Sequence, residues 1–143
     1  MPRFTDVRGL PVTAASGDSV RRFDAAIDSY LGACLDTRSR IDAVLDQDPD
    51  FALAHCVDGY LCMLSSKREG REQARRSLAR ARRAAFARPP TARETRHIDA
   101  LDAWSRGDMR GAAATWAAIV ADTPVDLLAI KVSQFVLSYL ESS

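Results

Sequence analysis

Residues 91–124, TARETRHIDALDAWSRGDMRGAAATWAAIVADTP, decide the fold. Thr91 precedes Glu94 by three residues, the capping-box spacing in which a hydroxyl satisfies free helix N–H groups and a carboxylate returns the bond. A helix opening there carries Ile98, Leu101 and Trp104 on one face of a 3.6-residue period. Arg106-Gly107-Asp108 supplies a glycine stop and then an aspartate cap. The next helix holds Ala112, Trp116, Ile119 and Val120 until Pro124, which cannot continue the hydrogen-bond ladder. The stretch reads as two helices joined by a tight turn and closed by a proline.

The same punctuation recurs upstream. Val20, Phe23, Ala26, Ile27, Tyr30 and Leu31 mark a first helix stopped by Gly32. Ile41, Val44 and Leu45 mark a second, ended by Asp48-Pro49-Asp50. A third begins near Phe51 with Leu53, Ala54, Val57, Tyr60, Leu61 and Leu64, and weakens at Ser65 and Ser66. A very basic fourth, with Ala74, Leu78, Ala81 and Ala85 on one side, ends at Pro89-Pro90. Pro49, Pro90 and Pro124 lie 41 and 34 residues apart, and 34 is the period of a tetratricopeptide repeat. The middle unit is about seven residues longer than that period, so an extended helix or turn is expected around Ser65 to Gly70. The last helix should run from about Asp126 to Leu140, and residues 1–17, without sustained periodicity, read as an irregular lead-in.

Asp48-Pro49-Asp50-Phe51-Ala52-Leu53-Ala54-His55, Arg93-Glu94-Thr95-Arg96-His97-Ile98-Asp99-Ala100-Leu101, Gly107-Asp108 and Pro124-Val125-Asp126-Leu127-Leu128-Ala129-Ile130-Lys131 resemble the tetratricopeptide repeat protein 38 family. The resemblance spans about Leu10 to Tyr139, with the motif blocks in the family's order. It implies a helical solenoid and no particular reaction. The expected fold is therefore all-α, a right-handed TPR-like α-solenoid of about three helical hairpins plus an unpaired C-terminal helix, residues 18–143 forming one domain. Relatives of this kind are usually longer, so a truncated or short version is expected.

The composition suits such a fold. The chain has 143 residues, 47% hydrophobic and 27% charged, with a formal charge of +1 and few glycines and prolines, which excludes disordered and collagen-like chains. A chain of that size buries about 70% of its unfolded surface without metal or disulfide support. Cys34, Cys56 and Cys62 form neither an even disulfide set nor a CxxC pair, and no leader or 18-residue apolar run occurs, so a cytoplasmic protein with no membrane segment is expected. Arginine outnumbers lysine 18 to 2, read as the codon bias of a GC-rich, bacterial genome.

A solenoid unit covers its apolar face only against a neighbour. The final helix, apolar on nearly every side, either docks back on the groove or pairs with the same helix of a second copy. A homodimer through Leu128, Val132, Phe135, Val136 and Leu140 is the favoured expectation.

His55, His97 and Lys131 follow repeat-closing prolines by six or seven residues, with Arg22 at the corresponding place of the first unit. In a regular stack such positions line the concave surface, so these four could grip a carboxylate or phosphate; the alternative is isolated histidines bonded in inter-helix seams. Tyr60, Trp104, Phe135 and Tyr139 are expected to face inward or serve as aromatic anchors along the groove. His55 and Cys56 are adjacent, and Asp99 lies two residues from His97, so none shares a helical face; no metal site and no cofactor is expected. For the same reason Cys56 lacks a base, and no phosphate-binding, nucleophile-elbow or kinase motif is present, so no catalytic residue is assigned.

Lys67 to Arg88 holds nine basic and two acidic residues, a local charge of +7, without interleaved aromatics before Phe86. A solvated outer face paired with acidic neighbours is favoured over nucleic-acid binding. The function expected is a scaffold binding a protein or peptide in its groove; the alternative is an enzyme, or its accessory subunit, with a histidine-lined pocket there.

Overall fold

The computed structural model describes residues 4–65 and 68–141. Ser66 and Lys67, expected at the third helix's weak end and the start of the basic strip, lie outside the described residues. Seven helices follow a two-stranded hairpin. They are α1 (Gly17–Leu31), α2 (Thr37–Gln47), α3 (Ala52–Leu64), α4 (Arg68–Ala87), α5 (Ala92–Ser105), α6 (Met109–Asp122) and α7 (Leu127–Glu141). Among the described residues the fold is all-helical apart from that hairpin.

Local chemistry sets the boundaries. The Ser16 hydroxyl caps α1 by accepting from the Ser19 N–H. Thr91 and Glu94 form both bonds of the expected capping box at α5. Gly107, at φ +89°, turns the chain out of α5 in the left-handed region, and Asp108 caps α6 through the Gly111 N–H. Extra length of the middle unit goes into α4, which has 20 residues against 11 in α2 and 14 in α6.

Neighbours in sequence pack together: α1 on α2, α3 on α4, α5 on α6, with α3 also against α2 and α5. Every residue from Phe51 to Tyr60 is buried, which makes α3 the central rod. It approaches α5 closely where Gly59 meets Leu101. One continuous apolar core runs from Val12 to Val136.

Two expectations are corrected. First, α7 is not unpaired: it packs on α6 and reaches α1. Lys131 Nζ donates to the carbonyls of Tyr30 and Leu31 at 2.7 and 3.0 Å and lies 4.9 Å over the Tyr30 ring, so a cation closes the negative end of α1. Second, the lead-in is structured. Its strands β1 (Phe4–Thr5) and β2 (Pro11–Val12) are antiparallel, with Phe4 opposite Val12. Val12 is fully buried. Thr13 donates its N–H and hydroxyl to Glu94 at 3.1 and 2.6 Å, and the Ala15 N–H reaches Asp48 at 2.7 Å. Arg88, 2.9 Å from Asp48, completes that anchor. The fully buried Glu94 carboxylate is thus satisfied by donors from both its own cap and the lead-in.

Candidate functional site

A groove of about 950 Å³ lies between the end of α1, the start of α2, α3, α4 and α7. Its floor is built around Asp58, the single carboxylate within the otherwise neutral helix α3. A carboxylate this buried needs partners, and it has them: Arg38 of α2 forms an ion pair with it and the Ser77 hydroxyl donates to it at 3.2 Å. Arg76 and Arg80, one turn apart on α4 on the same stripe as Gln73 and Ser77, supply the opposite wall. Lys131 enters from α7. Four cations therefore line the groove against one carboxylate. Arg76 pairs with Glu72 on the rim, whereas Arg80 has no ion-pair partner among the described residues. Cys62, beside Arg38, also lines the groove; burial and the Asp58 charge push its thiol up, against the opposing pull of Arg38, so it is a weak nucleophile.

A smaller apolar pocket of about 240 Å³ is lined by Met63, Trp104, Met109, Phe135 and Tyr139. It adjoins the groove. Phe135 is one turn beyond Lys131 on α7, and Met63 sits beside the groove residue Leu64 on α3. The Trp104 ring lies 6.2 Å from Phe135, and Phe135 lies 5.5 Å from Tyr139.

The expected polar column does not form. Of Arg22, His55, His97 and Lys131, only Lys131 lines the groove. Arg22 is exposed on α1, 3.0 Å from Asp18, beside a separate shallow pocket shared with Arg40. His55 is buried, with its Nε2–H donated to the Pro49 carbonyl at 2.7 Å. His97 and Tyr60 lie in the core. There Asp126, His97, Tyr60 and Trp116 form a continuous chain: 2.9 Å from Asp126 to His97 Nε2, 2.8 Å from His97 Nδ1 to the Tyr60 oxygen, and 3.2 Å from Trp116 Nε1 to that oxygen. The neutral tautomer that satisfies it carries its proton on Nε2 and accepts from Tyr60 at Nδ1.

Burial alone pushes the Asp126 carboxyl up, but the His97 hydrogen bond and the Arg93 guanidinium outweigh it and hold the group well below the usual carboxylate range. Burial raises the Tyr60 hydroxyl well above its ordinary value, so it stays a donor. The chain resembles a catalytic relay in order only. Its members are at most 1% exposed, and Asp126 also caps α7 through the Ala129 N–H at 3.0 Å. It locks α7 to α3, α5 and α6, and substrate cannot reach it.

The face expected to bind a second copy is covered by its own chain. Leu128, Val132 and Val136 are buried, while Phe135 and Leu140 pack against the core. The large apolar residues exposed on or beside α7 are Val125, Leu127, Leu137 and Tyr139.

The basic helix follows the expectation of pairing with acidic neighbours. Arg75 and Arg82 both reach Asp102 of α5 at 3.1 Å, and Glu72 meets Arg76 rather than Arg75. Sequence reasoning missed Arg38, Asp58, Arg76 and Arg80 as one site. The signal was available in Asp58, an acid inside an apolar helix, which must find a cation. All three cysteines are free. Among the described residues, no helix is long and apolar enough to cross a membrane, and no cluster of three or more metal-ligating side chains is assembled. No protein-family model matches the chain, and no solved structure matches it.

Proposed function

We propose that the chain is a TPR-like, right-handed helical scaffold, as its resemblance to the tetratricopeptide repeat protein 38 family implies, and that it binds an acidic segment of a partner protein. The groove carries this reading: Arg38, Arg76, Arg80 and Lys131 line a space of about 950 Å³ that holds one carboxylate. The 34-residue spacing of the closing prolines and the packing of each helix on its sequence neighbours support the repeat architecture. Three free thiols fit a cytoplasmic setting. The enzyme alternative is weakened, because neither histidine lines the groove. A homodimer through α7 would use the exposed apolar residues on or beside it, Val125, Leu127, Leu137 and Tyr139, and light scattering over a range of concentrations tests it.

The decisive experiment is fluorescence anisotropy with a labelled glutamate-rich peptide. Binding should weaken steadily as salt rises and disappear in Arg76→Glu/Arg80→Glu, a double change on an exposed face that leaves the core intact. Undiminished binding by that variant would refute the groove assignment.

A further inference from the structure

The groove and the apolar pocket draw residues from two common helices, α3 and α7. On α7, Lys131, Phe135 and Tyr139 fall at four-residue intervals and form one stripe, the first in the groove and the other two in the pocket. On α3, Leu61 and Leu64 face the groove and Met63 the pocket. Along that stripe of α7 a cationic lining is followed, one turn on, by an apolar one. The pocket suits a single large side chain: its volume is about 240 Å³, its walls are aromatic rings and two flexible thioethers, and no charged residue lines it.

Resting on the acidic-segment reading above, we infer that the partner is bipartite: an acidic stretch in the groove, followed by one bulky apolar anchor, aromatic or leucine, seated against Trp104 and Phe135. Charge complementarity selects the acidic part, since the groove presents four cations to one carboxylate. The spacing follows from helix geometry. Lys131 to Phe135 is about 6 Å along α7 and Lys131 to Tyr139 about 12 Å, at 1.5 Å per residue. An extended peptide covers that in about two to four residues. The anchor therefore lies about two to four residues from the last acidic side chain. The short reach matters, because a distant anchor would lose the advantage of being tethered.

Three labelled peptides test this on the intact chain: a glutamate run alone, the same run with phenylalanine three residues beyond it, and the run with phenylalanine moved ten residues away. The near anchor should tighten binding about tenfold or more over the plain run, the distant one hardly at all. Tryptophan emission should shift with the near-anchor peptide only, since Trp104 lines the pocket and Trp116 does not. In Met63→Gln/Met109→Gln, with folding checked by its thermal melt, the near-anchor peptide should fall to the affinity of the plain run, which itself stays unchanged. Equal binding of all three peptides by the unaltered protein would sink the anchor and leave the acidic groove standing. Equal gains from near and distant anchors would overturn the spacing. Binding of none would remove the groove reading and this inference with it.

Discussion

The crossing of α3 and α5 depends on Gly59 having no side chain. A Cβ built there would lie 2.5 Å and 2.8 Å from the two methyls of Leu101, closer than carbon atoms approach, and Leu101 is fully buried and cannot swing away. Gly59→Ala therefore sets two effects against each other. Overpacking costs about 2 kcal/mol, and the better helix propensity of alanine returns about 1 kcal/mol. The net expectation is destabilisation by about 1 kcal/mol. Leu101→Ala alone should cost about 3 kcal/mol through lost burial and a cavity. In the double variant the clash is gone and only the propensity gain remains, so the total should be about 2 kcal/mol rather than the additive 4, a coupling of about −2 kcal/mol. Urea denaturation of the four proteins measures this cycle. The signature is a change of sign: Gly59→Ala destabilises the native protein and stabilises the Leu101→Ala background. Stabilisation in both would refute the close approach of the two helices.

Further outcomes follow from the polar anchors. Because the Asp126 carboxyl is held below its ordinary value of 3.8, its contribution is complete above that pH and lost as pH falls through the lowered folded value. Asp126→Asn should cost about 3 kcal/mol at neutral pH, by removing the nearer of the two carboxylates that pair with Arg93, Asp6 lying at 3.9 Å, and flatten the loss of stability in acid; urea melts across the acid range check both. Thr13→Val removes a hydroxyl donor from buried Glu94 and should cost about 2 kcal/mol, read from the same denaturation curves. A thiol reagent should titrate Cys34 at once, since it is exposed; Cys56, whose thiol burial pushes far up, and Cys62 should react fully only after denaturation.

Helix boundaries were legible because their signals are local. The Thr91–Glu94 box, the Gly107 stop and the Asp108 cap each work within a few residues, and each appears where the sequence places it. The lead-in was not legible, because Thr13 and Glu94 are 81 residues apart and neither announces the other. The histidines were misread through helix phase. His97 lies three residues after Glu94, on the stripe that α5 turns into the core, so a shared offset from the prolines did not bring it to the concave surface. Lys131 escaped that fate because its own position on α7 lines the groove. The cationic walls come from α2, α4 and α7, and no single window of sequence contains them.

The anchoring of the lead-in to Glu94 also has a temporal meaning. A ribosome delivers Thr13 long before Glu94, at about 5–20 residues per second. For several seconds the opening hairpin has no carboxylate to hold it, and Val12 has no completed core to enter. A segment made before α5 thus settles only after it, and a nascent chain stalled before α5 should leave that segment open to proteases.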